Sequence, residues 1–241
     1  MNRDASNNQG ARPVISNLRL TAKLIPIIAP FIAKNDIRYY LSGINIRPHK
    51  SGGAIICATN GHALGAIHDR EAVCDEEVTL RLDARMLQSC AGNIRGNRII
   101  KVLNDRLVVV EGDSEAEAYI QAGDPVINPS MGYPRYERVI PALETVQPGL
   151  LGSYAADLIL LVERAATAAE KARGTLKTRF NAIQFFNVNG NASGSAVARI
   201  PAAEDFIGVI MPMRADAVVG IPSWCGQMAK VDDLAAMESA S

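Results

Sequence analysis

The chain has 241 residues, of which 48% are hydrophobic and 21% charged, and its formal net charge is zero. These values exclude a disordered, fibrous or collagen-like protein, and the length can bury a sizeable core in one large or two ordinary domains. A uniformly basic nucleic-acid-binding protein is excluded as well. The charges are nevertheless uneven: basic residues concentrate in 17–50, 81–101 and 163–179, and acidic residues in 66–77, 111–124 and the segment after 214.

The ends and the cysteines point to a cytoplasmic protein. Residues 1–16 lack the apolar core of a signal peptide, and their polar composition predicts a disordered lead-in. The longest mainly apolar stretch, residues 24–33, contains two prolines and is too short to span a bilayer. The cysteines are Cys57, Cys74, Cys90 and Cys225. Their wide spacing, without a CxxC pair, argues against a zinc site or a disulfide framework.

A strand–helix–three-strand pattern begins near residue 17. The run ISNLRL predicts a short strand, and Thr21 can then cap a helix whose apolar residues recur at helical spacing. Pro26 and Pro30 predict that this helix is kinked or short, because an interior proline costs about 3 kcal/mol. Three strand-like runs follow, IRYYLSGINIR, AIICATN and ALGAIHD, with SGG and Asn60-Gly61 as turns.

The same pattern recurs twice. VTLRL predicts a strand and Asp83 a cap for the helix ARMLQSCA, which Gly92 can end, before the strands RIIKVLN, RLVVVEGD and EAYIQAGD. After residue 150, Ser153 can cap a long helix ending near Arg173, followed by the strands AIQFFNV, SAVARI and FIGVIMPMR, with Asn189-Gly190 as a turn. Three copies of one supersecondary unit indicate an α+β protein built from repeated βαβββ units.

The long helix of the third copy is amphipathic. Its apolar stripe consists of Leu158, Leu161, Val162, Ala165 and Ala169. At 100° per residue, Arg164 and Lys171 lie within about 20° of each other on the side away from this stripe. The helix therefore either presents cations to a partner or has an ordinary solvated face.

Three separate blocks resemble the bacterial sliding clamp, the beta subunit of DNA polymerase III. Residues 36–66, DIRYYLSGINIRPHKSGGAIICATNGHALGA, are similar to the family's RYYLNG strand and ATDGHRLA motif. YPRYERVIP at 133–141 resembles a FPDYRRVIP-type segment, and VIMPMR at 209–214 an MPMRL-type strand. The resemblance implies the DNA clamp fold, an α+β fold of repeated βαβββ units with sheets outside and helices on the DNA-facing side.

The resemblance also implies a domain organisation. A clamp domain similar to the family's middle domain would span 17–130, a reduced domain similar to its C-terminal domain 131–214, and an extension 215–241. The family's first domain would be absent. Three or four chains would then be needed to restore the family's ring. In the alternative, the segment after Arg214, with its VVGIPSW run, folds back over a strand edge or a groove and leaves a monomer.

The function implied is that of a non-catalytic processivity factor. Cations would hold duplex DNA through its phosphates without reading sequence, and tyrosine rings would offer sequence-tolerant stacking. The resemblance places Arg38, Tyr39 and Tyr40 at the DNA-facing end of a strand, where strand alternation could bury one ring. The candidate DNA-binding residues are Arg38, Tyr39, Tyr40, Arg85, Arg95, Arg164 and Lys171.

A second implied site is a pocket for the short peptides by which a polymerase and other proteins dock. Methionines and leucines would form an adaptable apolar groove, with a few polar groups to fix orientation. The candidate residues are Leu41, Thr59, Gly61, His62, Leu64, Pro134, Arg138, Val139, Val209, Met211, Pro212, Met213 and Arg214. Seen alone, Met211 and Met213 could equally be core residues. Ala63 departs from the family, which usually has arginine there.

The partners implied are duplex DNA, a DNA polymerase, other proteins with clamp-binding peptides, a clamp loader and further copies of the chain. No membrane partner and no cofactor are expected. No metal site is expected either, because His49, His62 and His68 have no carboxylate or cysteine at ligand spacing. No arrangement of nucleophile and base indicates an enzyme. The alternative function is an adaptor or decoy that binds clamp-binding peptides without enclosing DNA.

Overall fold

The computed structural model describes residues 17–91, 97–103, 106–112, 116–127, 132–174 and 182–213. The predicted lead-in, the predicted helix end at Gly92, the candidates Arg95 and Arg214 and the predicted extension lie outside these ranges. Within the described part of the chain, no helix is long and apolar enough to cross a membrane.

The described elements follow the predicted order of three βαβββ units. The strands are β1 (Leu18–Thr21), β2 (Ile44–Pro48), β3 (Ala54–Thr59), β4 (Ala63–Asp69), β5 (Val73–Cys74), β6 (Val78–Leu80), β7 (Arg98–Leu103), β8 (Arg106–Glu111), β9 (Ala116–Ile120), β10 (Val126–Ile127), β11 (Val146–Pro148), β12 (Gln184–Val188), β13 (Ala196–Ile200) and β14 (Ala203–Ile210). The α-helices are α1 (Ile25–Ile28), α2 (Ala84–Ala91) and α3 (Ala156–Arg173). The short strands β5, β10 and β11 were not predicted, because two or three residues show no periodicity.

The strands form two antiparallel sheets. One has five strands in the order β5-β1-β7-β8-β9, and the other has nine in the order β10-β6-β2-β3-β4-β14-β13-β12-β11. The first two units exchange their first strands, since β1 pairs with β7 and β6 pairs with β2. The third unit keeps its own first strand, because β11 pairs with β12. The nine-stranded sheet therefore contains strands from both predicted domains.

The pairing of β4 with β14 joins the third unit to the first. Leu64 lies opposite Val209 and Gly65 opposite Gly208 in this antiparallel ladder. A Cβ atom at Gly65 would overlap the ring of Phe31. Phe31 in turn lies 6.0 Å from Phe206, measured between ring centroids. The missing side chain at Gly65 thus lets the first helical segment pack directly on the joint between the two units.

The three helices share one hydrophobic core with the sheets. Helix α1 contacts both α2 and α3. On α3, the predicted apolar stripe is confirmed: Leu158, Val162, Ala165 and Ala169 are buried, and Leu161 packs against the same core from a partly buried position. Because this core includes side chains from all three units, the third unit is not an appended module with a separate interior.

The first helix is broken, as its prolines predict. A 3-10 helix at Ala22–Leu24 leads into the four-residue α1, and a second 3-10 helix at Ala29–Phe31 follows it. The cap predicted at Thr21 is wrong. Its hydroxyl donates instead to Asp69 Oδ1 at 2.9 Å, and its backbone N–H donates to Asp69 Oδ2 at 2.7 Å.

Two further local predictions need correction, and one is confirmed. The RYY segment is not a strand, because Tyr39–Ser42 form a 3-10 helix. Helix α3 begins after Ala155 without a side-chain cap, so Ser153 is not its cap. The predicted cap at Asp83 is confirmed, since its Oδ1 accepts the backbone N–H of Met86 at 2.7 Å.

We expect Asp69→Ala to lower the free energy of unfolding by about 2–3 kcal/mol, because the buried N–H and hydroxyl of Thr21 would lose a charged acceptor. Asp69 is 2% exposed. Urea unfolding followed by circular dichroism measures the change. Asp205→Ala is the control: it removes an ion pair with Arg70, whose side chain is 72% exposed, and should cost less than about 1 kcal/mol. Equal losses in both variants would contradict this role for Asp69.

Candidate peptide-binding site and nucleic-acid surface

Strand alternation gives the β4–β14 joint two apolar faces. Ala63 and Ile67 belong to the core that contains the helices, whereas Leu64 and Ala66 belong to a second cluster. This second cluster consists of Ala33, Leu41, Cys57, Leu64, Ala66, Tyr133, Tyr136 and Val209. It draws on all three sequence blocks and lies on the sheet face opposite the helices. We call it the outer cluster.

The candidate pocket residues divide into a floor and a rim. In the floor, Leu41, Leu64 and Val209 are 1%, 4% and 3% exposed. Val139, Met211 and Met213 supply the accessible apolar surface of the rim, at 46%, 46% and 50% exposure. The other exposed candidates are Gly61, His62, Pro134 and Arg138; Pro212 is intermediate and Thr59 is buried. A ligand can therefore contact the methionines directly, while the floor supports the surface from below.

Backbone hydrogen bonds fix the position of the rim. In the turn between β3 and β4, Thr59 Oγ1 donates to the carbonyl of Ala63 at 2.8 Å and accepts the N–H of Gly61 at 3.0 Å. Gly61 has a φ of 89°, which favours glycine. The N–H of Met211 donates to the carbonyl of His62 at 2.9 Å. Met213 is held in the same way by the carbonyl of Ser153 at 2.8 Å.

Arg47 fastens the YPRYERVIP block to the sheet. Its guanidinium forms ion pairs with Glu77 at 2.9 Å and with Glu137, and it lies 5.0 Å from the centroid of the Tyr136 ring. Burial alone would raise the pKa of Glu77, but hydrogen bonds from Arg47 and Asn45 outweigh it and lower that pKa. Burial raises the pKa of the Tyr133 and Tyr136 hydroxyls, so both rings stay neutral in the outer cluster.

Arg38 lies beside the rim and is already paired. Its guanidinium donates to both carboxylate oxygens of Asp36, at 3.0 and 2.6 Å, and to the carbonyl of Asn60 at 3.2 Å. The hydrogen bond from the Arg38 side chain holds the pKa of Asp36 at about 2, below its ordinary value of 3.8. Arg38 therefore contributes little uncompensated positive charge.

The two predicted stacking tyrosines contact each other. Their ring centroids are 5.9 Å apart in an edge-on arrangement. Tyr39 is exposed, while Tyr40 is half-buried against the outer cluster. Burial of one ring was expected from strand alternation, but here the 3-10 helix produces it. Tyr39 is thus the ring that a nucleic acid could reach.

The remaining described candidates lie on the helical side. Arg164 and Lys171 are exposed on α3 and line a cleft of about 1030 Å³ between α3, α1 and the end of β4. Arg85 is exposed in the first turn of α2 and is outside the cleft lining. Arg38 contacts the opposite end of β4, about 20 Å away along the strand at its usual rise per residue. The structure therefore brings Arg164 and Lys171 together in the cleft, but not Arg85 or Arg38.

The cleft is not strongly positive. Helix α3 carries Asp157, Glu163 and Glu170 as well as Arg164, Lys171 and Arg173. Of these, Glu163, Arg164, Lys171 and Arg173 line the cleft, together with the acidic residues Asp69, Glu71, Glu204 and Asp205 and the basic residues Lys23, Arg70 and Arg98. Any attraction for phosphate is local and easily screened by salt.

Sequence reasoning missed several residues of both surfaces. Lys23 and Arg98 line the cleft beside Arg164 and Lys171. These positions are far apart in sequence, and no local pattern indicates that they meet. Tyr133 and Tyr136 complete the outer cluster. The signal for the tyrosines was available, because both lie in a block already singled out, three residues apart.

The histidines take part in local contacts. The rings of His49 and His68 are 4.5 Å apart, and a hydrogen bond of 2.9 Å joins His68 Nε2 to the carbonyl of Gly52. Among the described residues, no group of three or more His, Cys, Asp or Glu side chains is arranged to hold a metal ion.

No protein-family model matches the sequence, and no curated protein matches it. Solved structures do match. The DNA polymerase III subunit beta of Pseudomonas aeruginosa is similar with a TM-score of 0.55 and 15% identity, over 84% of this chain and 68% of that one. The C. crescentus beta sliding clamp is similar with a TM-score of 0.52 and 16% identity, over 89% of this chain and 68% of that one. The Bartonella birtlesii sliding clamp is similar with a TM-score of 0.52 and 15% identity, over 83% of this chain and 66% of that one.

The chain thus spans about two thirds of the length of these clamps. At such low identities the likeness shows the fold alone. Its strand order of three βαβββ units and its two antiparallel sheets agree with that fold. The predicted fold class is confirmed: the protein has the α+β fold of the bacterial DNA polymerase III beta sliding clamps.

Proposed function

We propose that this chain is a sliding-clamp-like processivity factor, which holds duplex DNA without sequence specificity and tethers a DNA polymerase and other proteins through short peptides. The observation that carries the proposal is the outer cluster. Three blocks separated along the chain meet there. Val139, Met211 and Met213, which belong to two of these blocks, are about half exposed.

The rim suits an apolar peptide. Methionine side chains are flexible and polarizable, so Met211 and Met213 can adapt to different partner sequences. The floor residues Leu41, Leu64 and Val209 are already buried before a ligand binds. Binding therefore does not have to order them, which lowers its conformational entropy cost. Cations of the 133–141 block, Arg135 and Arg138, are exposed nearby and add attraction for acidic groups of a partner.

The helical side suits a weak, mobile contact with DNA. Arg164, Lys171 and Lys23 line one cleft together with several carboxylates. Such a surface attracts phosphates without offering a pattern that could read base edges. Sliding requires this, because tight or sequence-specific contacts would hold the protein in place.

Enclosing DNA would require further copies of the chain, with a clamp loader to open the ring. The sheet edges bear on this step. Among the described edge strands, β9 is the longest at five residues, whereas β5 and β10 have two residues each and β11 has three. Pro148 in β11 also lacks the N–H that a partner strand would need. Among the described edges, the one at β9 is therefore better suited to pairing with a strand of another chain than those at β5, β10 and β11.

A second candidate function is favoured by the charges. Arg38 is paired with Asp36, and α3 carries as many acidic as basic residues. These features fit an adaptor or decoy that binds clamp-binding peptides without enclosing DNA. The two candidates share the outer cluster and differ only in the helical surface and in assembly.

We expect a peptide with glutamine followed by a short apolar run to bind the rim with a Kd of about 1 μM, or near −8 kcal/mol. Replacing Met211 and Val139 together by alanine should weaken binding at least about tenfold, because both side chains are exposed contacts. Isothermal titration calorimetry measures both affinities.

Leu103→Ala is the matched control, since Leu103 is an exposed apolar residue of the other sheet. Leu64 is unsuitable for this purpose, because its burial makes Leu64→Ala a test of stability. Equal affinity of the wild type and the Met211, Val139 variant would remove the outer cluster as the peptide site.

We expect DNA binding to be weak, independent of sequence and steeply dependent on salt. Replacing Arg164 and Lys171 by glutamate should abolish it, because both cations line the cleft. Fluorescence anisotropy with two unrelated duplexes at low salt measures binding.

The charge-matched control replaces Arg19 and Arg106 by glutamate; both are exposed on strands of the five-stranded sheet. Unchanged binding by the Arg164, Lys171 variant would place the DNA surface elsewhere. If the wild type binds no DNA, and sedimentation shows a monomer with primed circular DNA present, the adaptor function replaces the clamp function.

A further inference from the structure

The chain leaves the described structure at the rim of the proposed peptide site. The backbone N–H groups of Met211 and Met213 donate to the carbonyls of His62 and Ser153, and Met213 is the last described residue. Val218 is only five residues beyond Met213 and lies within about 17 Å of it, even with the chain fully extended.

The sequence that follows has the composition of a rim ligand. VVGIPSW at 218–224 supplies branched apolar side chains and the only tryptophan of the chain. Pro222 biases Ile221 toward an extended conformation, which suits a groove on a sheet surface. Tryptophan is among the residues that most often anchor an interface.

Charge complementarity favours the same arrangement. Residues 215–241 contain Asp216, Asp232, Asp233 and Glu238 against the single cation Lys230. Close to the rim, the exposed charges of the 133–141 block include Arg135 and Arg138, while Glu137 is paired with Arg47. An acidic segment would be drawn to this side of the protein.

We propose that residues 218–224 occupy the rim of the outer cluster in the same chain, and that they compete with partner peptides for it. This inference rests on the proposed function of that site. A short tether gives an effective concentration of about 1 mM. If the free segment binds with a Kd of about 0.1 mM, the tether weakens binding of an outside peptide about tenfold.

Trp224 reports the occupancy directly, because its emission is the chain's only tryptophan signal. In the full chain we expect a blue-shifted emission, which moves to the red when a peptide with glutamine and a short apolar run is added. A chain ending at Ala215 should bind that peptide about tenfold more tightly, and Trp224→Ala in the full chain should recover most of this gain. Leu234→Ala is the matched control, since it removes an apolar side chain outside the proposed segment.

Equal peptide affinity of the full and shortened chains, with unchanged Trp224 emission, would overturn the inference while leaving the proposed function intact. A shift that appears only as protein concentration rises would place the segment on a second copy and would also overturn it. If neither chain binds the outside peptide, the proposed function fails. The inference is then judged by a synthetic 215–227 peptide added to the shortened chain: binding that is lost with Met211→Glu supports it, and no binding overturns it.

Discussion

The pairing of β4 with β14 is the constraint on which the rest of the structure depends. It brings a strand near residue 65 into register with a strand near residue 208 and makes one sheet from two units. Because side chains alternate along a strand, this ladder fixes two surfaces at once. Gly65 admits Phe31 on the helical side, while Leu64 and Val209 meet on the other side as the floor of the outer cluster.

The two surfaces suit two different tasks. The outer cluster is apolar, locally rigid and rimmed by adaptable methionines, which favours a stable contact with a peptide. The helical cleft is polar and mixed in charge, which favours a contact that is weak and can move along DNA. Because the sheet lies between them, a tethered partner and a DNA duplex could be held by one chain without competing for space. This separation is the physical basis of the clamp-like function that we propose.

Much of this arrangement follows from local sequence. The turns at Asn60-Gly61 and Asn189-Gly190 were predicted, and Gly61, Asn189 and Gly190 do adopt positive φ values. The pairing of Arg38 with Asp36 was missed, although a carboxylate two residues away was visible in the sequence. The acceptor of Thr21 could not be predicted, because Asp69 comes from another element. The depth of Leu41 and Leu64 likewise depends on Tyr133 and Tyr136, which are distant in sequence and close only in the fold.

In the function that we propose, the exposed methionines beside the β4–β14 joint receive partner peptides. Methyl NMR of the protein with labelled methionines, during titration with a clamp-binding peptide, tests it most directly. We expect the Met211 and Met213 methyl signals to shift and saturate together, while the signal of Met86, a fully buried residue of α2, stays unchanged. Saturable shifts that spare both Met211 and Met213 would contradict the claim.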